Sequence, residues 1–313
     1  DKSGALYGTT EYGGTAGDGI VFKLTSSGPS YTETVLHSFA GGDDGNAPLA
    51  GLTIDASGNL YGATLLGGGG GSQCTTGAGC GVIFELRRSG STYFERVLHT
   101  FTGGSDGATP GSPPIFVARD LYGTAATGGG NPSCGGAPIN PGCGTVFELV
   151  RRGSAFTFKV LYRFAGAPSD AANAFAGLAI GAGGVLYGVG QYGGSQNEGA
   201  VFALSRAGRK YSETLLHSFT GGNDGSYPLA ALAVGGDGSL YGTTQYGGTA
   251  NAGTVFEVTG SGSERVLFAF PNGTGGGYPL GGVLVGSRDG LWGTAEYGGK
   301  SSLAAGIAFK LTP

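Results

Sequence analysis

A short motif, Leu-aromatic-Gly, recurs six times: Leu6-Tyr7-Gly8, Leu60-Tyr61-Gly62, Leu121-Tyr122-Gly123, Leu186-Tyr187-Gly188, Leu240-Tyr241-Gly242 and Leu291-Trp292-Gly293. Its aromatic residues stand at 7, 61, 122, 187, 241 and 292, in steps of 54, 61, 65, 54 and 51. A repeat that runs from end to end limits the fold more than any composition does. Each unit is one supersecondary element that cannot bury its apolar face alone, so neighbouring units must stack. Residues 1–313 are therefore expected to form one repeat domain.

One period contains four apolar segments. In the second unit they are Pro48-Leu49-Ala50-Gly51-Leu52-Thr53-Ile54, Asn59 to Thr64, Val82-Ile83-Phe84-Glu85-Leu86, and Arg96-Val97-Leu98-His99-Thr100-Phe101. Each has strand length and is rich in β-branched and aromatic residues. The segments between them, such as Asp55-Ala56-Ser57-Gly58 and Gly103-Gly104-Ser105-Asp106-Gly107, have turn chemistry. Four short antiparallel strands per unit, six times over, predict an all-β fold, a β-propeller of about six four-stranded blades. A β-sandwich or a β-solenoid is the alternative. The chain begins on the second strand of a unit and ends on the third. The first blade thus lacks its inner strand and the last its outer one, which makes 22 strands in all. Unpaired edges recruit other strands, so head-to-tail self-association into a filament is expected.

Net charge is −4, only 12% of residues are charged, and no Lys/Arg run exists; nucleic acid is not an expected partner. No apolar run reaches the length of a membrane span. Gly makes up 70 of 313 residues without a collagen period, and 17 Phe with 15 Tyr are too many for a disordered chain. There is no Met, so Asp1 is read as the end of a processed or truncated product. The four Cys fall into local pairs, Cys74/Cys80 and Cys134/Cys143, in matching insertions of neighbouring repeats. Local disulfides are favoured over zinc, since neither pair has C-x2-C spacing and no His is near. Disulfides imply an oxidising compartment, outside the cell or on its surface.

The unit G-x-L-Y-G-T-T-x-Y-G-G…G-x-V-F-x-L…V-L-H-S-F-x-G-G-x-D-G-x-x-P-x-A-G-L, seen at Leu240 to Val258 and Leu215 to Leu232, resembles the GloVer-type tandem repeat of bacterial exported proteins. The resemblance covers essentially the whole chain. It implies an exported, often surface-anchored protein and supplies no catalytic residues. The third unit departs from the pattern at Ser112-Pro113-Pro114-Ile115.

Several residues suggest chemistry. His37, His99 and His217 share one place in the fourth strand, where Tyr162 and Phe268 stand in other units, so they read as packing residues. Ser105 sits in a G-x-S-x-G string, but no helix follows it as a nucleophile elbow requires. Asp44, Asp106 and Asp224 recur in Asp-Gly turns, either as turn formers or as weak Ca²⁺ or polar-ligand positions. Antiparallel order places these turns at the same end of the blades as Tyr12, Tyr192, Tyr246 and Tyr297 of the Tyr-Gly-Gly motif. Aromatic rings beside carboxylates can stack and hydrogen-bond sugars, so that end is a candidate glycan face. Asn272-Gly273-Thr274 fits a glycosylation sequon. No cofactor and no catalytic set is expected. The leading expectation is a non-enzymatic structural or adhesive surface protein. A carbohydrate-binding propeller is the alternative, and a glycan-hydrolysing one the least favoured.

Overall fold

The structure, a computed structural model, describes residues 1–69, 74, 78–131, 134, 142–208, 210–286, 290–299 and 305–312. The chain folds into six small antiparallel sheets, the blades of a six-bladed β-propeller. The first sheet is β1 (Leu6–Thr10), β2 (Ile20–Ser27) and β3 (Ser30–Ser38). The second is β4 (Thr53–Ile54), β5 (Leu60–Thr64), β6 (Val82–Ser89) and β7 (Thr92–Thr100). Three further sheets copy the second, and the last stops at three strands, Leu284–Val285, Leu291–Ala295 and Ile307–Leu311. The three-stranded ends follow the phase of the repeat. Among the described residues the helical content is three single 3₁₀ turns, at Gly42–Asp44, Ala182–Gly184 and Gly273–Gly275. One added pair, Ala171–Ala172 against Tyr192–Gly193, lies outside the six sheets. Packing divides the residues into two compact units, Asp1–Leu161 and Tyr162–Pro313.

The repeated motifs are partners in one ladder. Gly8 lies opposite Phe22, Gly62 opposite Phe84, Gly123 opposite Phe147, Gly188 opposite Phe202, Gly242 opposite Phe256, and Gly293 opposite Phe309. The Phe ring lies across the Gly. A Cβ would meet the ring at 2.5–2.6 Å at Gly8, Gly123, Gly188 and Gly242, and Gly62 and Gly293 are as crowded. Only a missing side chain lets the ring close over the backbone. Phe84, Phe147, Phe202 and Phe256 are fully buried this way, each contributing roughly 1.5–3 kcal/mol of burial.

The aromatic residue of the motif has its own cross-strand partner. Tyr61 Oη donates to Glu85 at 2.9 Å and Tyr122 Oη to Glu148 at 2.6 Å. Where Lys replaces Glu the contact becomes cation–π, with Lys23 over Tyr7 at 5.7 Å and Lys310 over Trp292 at 4.8 Å.

The inner segments depart from the expected length. Of residues 48–54 only Thr53 and Ile54 join the ladder. Pro48 has no N–H to donate, and Ala47 before it is left-handed, with φ 56°. Its carbonyl is taken by the N–H of Leu65 at 3.1 Å instead. The hairpin of β6 and β7 is correspondingly longer than expected and closes at Gly90-Ser91, with Ser89 opposite Thr92.

A bulge recurs in the outer strand. Ile83 pairs with His99 but Phe84 with Val97, leaving Leu98 as the extra residue; the same shift occurs beside Val21, Val201 and Val255. Such a bulge re-aims the residues beyond it. The loop between the second and third strands also has a constant neck. Gly19 N donates to Gly13 O, Gly81 N to Gly67 O, Gly144 N to Gly128 O, Gly199 N to Gly193 O and Gly253 N to Gly247 O, all at 3.0–3.2 Å.

Candidate functional site

In the compact unit Tyr162–Pro313, five tyrosines form a continuous row. Tyr192, Tyr227, Tyr246, Tyr278 and Tyr297 meet edge to face, with successive centroids 5.2, 5.7, 5.7 and 5.5 Å apart. Such pairs contribute about 0.5–1.5 kcal/mol each beyond their buried area. Three of the five, Tyr192, Tyr246 and Tyr297, are the Tyr-Gly-Gly residues singled out above. The row needs two more, Tyr227 and Tyr278, that the motif does not contain. Their sequence signal is Tyr before Pro, in Ser226-Tyr227-Pro228 and Gly277-Tyr278-Pro279.

Both intercalated tyrosines have left-handed backbones, at φ 54° and 55°. A non-Gly residue held so costs about 1–3 kcal/mol and persists only where the surroundings over-determine it. Here both backbone groups are committed. Tyr227 N donates to Glu198 O at 2.9 Å and its carbonyl accepts from Gln245 N at 3.1 Å; Tyr278 is held by Ala252 O and Glu296 N. Ala47, Thr109 and Asn173 hold the same conformation before their own turns.

Tyr192, Tyr227, Tyr246 and Tyr278 are half-buried and Tyr297 is 47% exposed. Burial first, then the nearby negative charge of Glu198, pushes the Tyr227 phenol up, so its hydroxyl stays protonated across the physiological range. The first unit lacks the row: Leu66 and Thr127 stand at the Tyr-Gly-Gly position, and Tyr12 is 71% exposed.

The Asp-Gly turns are spent internally. Asp106 Oδ2 accepts from Thr102 N at 3.0 Å and lies 3.2 Å from His99 Nε2; Asp224 does the same with Thr220 N and His217, at 2.9 and 3.3 Å. Asp44 accepts from Ala40 N and lies 3.5 Å from His37 Nε2. Where the strand carries Tyr162 instead of His, its hydroxyl donates to Asp170 at 2.9 Å. In the fifth unit Phe268 replaces His and Gly275 stands in the turn, so ring partner and carboxylate disappear together.

The histidines are packing residues, set edge-on against Phe39, Phe101 and Phe219. They are also the second partner of the turn carboxylates, a pairing the strand pattern alone did not disclose. Burial lowers the His37 and His217 pKa values against the opposing pull of Asp44 and Asp224.

Ser105 is exposed in its turn with no helix after it. The Asn272 side chain accepts from Gly273 N at 2.8 Å. Cys74–Cys80 and Cys134–Cys143 are disulfides with Cα atoms 5.2 Å apart in each, and no described cysteine is free. Most of both insertions lies outside the described residues. Among the described residues no group of three or more His, Cys, Asp or Glu could hold a metal ion, and no helix is long and apolar enough to cross a membrane.

A family model, the Gloeobacter/Verrucomicrobia repeat, matches residues 1–137 and again 135–313. No curated protein matches the chain. Among solved structures, a puromycin hydrolase S511A mutant is 11% identical with a TM-score of 0.58, over 99% of this chain and 44% of that one. A gluconolactonase from Xanthomonas campestris is 14% identical, TM-score 0.48, over 98% and 87%. A sialidase from Trypanosoma rangeli is 10% identical, TM-score 0.49, over 98% and 53%. The chain thus spans less than half of the puromycin hydrolase, and the likeness is one of fold.

The puromycin hydrolase, whose TM-score is above 0.5, is an enzyme and not a fibre or adhesin subunit. This overturns the expectation of a structural or adhesive protein that assembles head to tail. That expectation rested on incomplete end sheets, which follow from the phase of the repeat without any neighbouring copy.

Proposed function

The chain belongs to the Gloeobacter/Verrucomicrobia repeat family, and from that premise we propose that it is an exported propeller that binds sugar rings along its tyrosine row without turning them over. The row carries the reading. It offers partly exposed aromatic faces flanked by phenolic hydroxyls, the combination of apolar body and polar tip that a polyhydroxylated ring requires. Its rigidity is built in, because left-handed backbones doubly hydrogen-bonded at Tyr227 and Tyr278 leave little to order on binding. A repeated contact suits a repeated ligand, so an oligosaccharide fits the row better than a single sugar. The carboxylates of Asp44, Asp106 and Asp224, which a hydrolase would need free, are engaged in their turns. Two disulfides suit an oxidising, extracytoplasmic location.

The repeat itself supplies conservative test substitutions. Asn173 occupies the left-handed position of Tyr227, and Thr127 stands at the Tyr-Gly-Gly position of Tyr246. The double variant Tyr227→Asn/Tyr246→Thr should keep its melting temperature within a few degrees and lose at least tenfold in retention on an oligosaccharide array. A wild-type protein that no array glycan retains, or a folded variant retained as well as wild type, would refute the reading.

A further inference from the structure

Four glutamates occupy one place in the repeat, four residues before the ring of the fourth strand: Glu33 before His37, Glu95 before His99, Glu213 before His217 and Glu264 before Phe268; Glu33, in the first blade, is exposed, and the other three are not. Glu95, Glu213 and Glu264 each lie within the electrostatic reach of the turn carboxylate of the preceding repeat, Asp44, Asp170 and Asp224 respectively. β7, which bears Glu95, packs on the 3₁₀ turn Gly42–Asp44, and Glu213 is hydrogen-bonded to Asp170 itself. The Oε1 atoms of Glu95, Glu213 and Glu264 are buried and have no hydrogen-bond partner among the described residues.

A buried carboxylate beside a second negative charge, with one oxygen supplied no donor, is a costly arrangement, most of all where the two carboxyls touch, as at Glu213 and Asp170. It becomes a favourable one if the glutamic acid keeps its proton and donates it to the aspartate. The aspartates are already anchored as acceptors: Asp44 by Ala40 N, Asp170 by Ala165 N, Ala171 N and Tyr162 Oη, Asp224 by Thr220 N. The neighbouring cations do not relieve the pairs, because Arg96 is bound to Glu85 and Arg265 to Glu257. The other titratable groups facing these aspartates are His37 and His217, with Tyr162 at Asp170.

We propose that the pair Asp170–Glu213 is a shared-proton latch, closed while the glutamic acid is protonated and opened when its proton leaves to solvent, and that Glu95 beside Asp44 and Glu264 beside Asp224 are buried acids that lose their protons in the same range. Opening converts the one negative charge of the pair into two facing charges. The burial of each glutamate, reinforced by its aspartate neighbour, pushes the pKa of Glu95 and Glu264 up to about 7 and that of Glu213 up to about 8. The repeat contains its own counter-example. At the remaining His-bearing turn, Phe158 takes the glutamate's place and stacks on His99 at 3.5 Å, so Asp106 faces a ring and not a glutamic acid.

The sign follows from linkage. In the unfolded chain these glutamates ionise near pH 4.3. Between that pH and the folded values the native state binds more protons, so stability declines as pH rises through the window and levels off only above about 9. His37 and His217, held below the usual histidine value, act in the opposite sense at lower pH. The interval from pH 6.5 to 8.5 therefore isolates the glutamic acids.

Thermal unfolding at constant ionic strength, from pH 5 to 8.5, should show the wild-type melting temperature falling by several degrees above pH 6.5. The triple variant Glu95→Gln/Glu213→Gln/Glu264→Gln, whose amides donate at every pH, should stay flat there and melt above wild type at pH 8.5. Parallel curves, or a variant that melts lower than wild type at pH 8.5, would overturn the proposal. Infrared spectroscopy of unmodified protein tests it independently. A protonated-carboxyl band present at pH 6 and lost by pH 8.5 is expected, and its absence at pH 6 would overturn it too.

Discussion

Gly242→Ala is the sharpest test of the interlock between the two halves of the repeat. The backbone at Gly242 is not left-handed, so alanine has no conformational objection there. Propensity alone would favour it by about 0.5–1 kcal/mol. The added Cβ, however, lies 2.5 Å from Phe256 Cζ, 2.9 Å from Leu232 Cδ2 and 3.0 Å from Phe256 Cε1. Phe256 is fully buried and wedged edge-on against Phe219 at 5.1 Å, so its ring has nowhere to retreat. Overpacking of this kind costs about 1–3 kcal/mol. The net expectation is destabilisation by about 1–2 kcal/mol, or about 2–8 °C in melting temperature for a cooperative unit of this size.

Differential scanning calorimetry of Gly242→Ala beside Gly236→Ala decides the matter. Gly236 is also not left-handed and has nothing within 4 Å of its Cβ position. It should gain about 0.4–1 kcal/mol. A further Phe256→Leu change should cost less in the Gly242→Ala background than alone, because the smaller side chain vacates the space. If Gly242→Ala stabilises the protein, or if the two changes add independently, the ring does not depend on the glycine and the account of the motif is wrong.

Two other outcomes follow. Removing either staple, as Cys74→Ser/Cys80→Ser or Cys134→Ser/Cys143→Ser, should lower stability by about 2–3 kcal/mol on the chain-entropy estimate for such short loops; peptide mapping without reduction that found crossed pairs would contradict the assignment. His217 is held neutral by burial, with its pKa lowered in the fold, so the unfolded chain binds the extra proton and stability is lost as pH falls below about 6.5. His217→Phe, the residue pattern of the fifth unit, should gain on wild type progressively as pH falls from 7 to 5, and a constant offset in melting temperature would rule this out.

The architecture was legible in the sequence because its two strongest motifs are physical partners. The Leu-aromatic-Gly motif and the Phe of the third strand lie side by side in every ladder, so their joint recurrence announced paired strands and their phase announced two short end sheets. The inner strands were overestimated, since an apolar run containing Pro48 and a left-handed Ala47 can pass beside a sheet without joining its ladder. Only part of the tyrosine row could be read. Its rungs alternate between two loops far apart in sequence, and the residues before Pro228 and Pro279 looked like ordinary turn positions. The carboxyl pairs were hidden more deeply. Glu95 and Asp44, or Glu213 and Asp170, belong to successive repeats, and no local periodicity encodes which side chains meet where one sheet packs on the next.

The glycine neck of the loop between second and third strands has an architectural consequence. Gly13 bridges to Asp18, Gly67 to Gly79 and Gly128 to Cys143, so the same pinch closes over segments of very different length. Residues can be added there without shifting Gly62 from Phe84 or Gly123 from Phe147, and both stapled insertions occur at this point. Among the described residues the propeller thus carries five such sockets, and new surfaces can be tried in any of them while the blade below keeps its register.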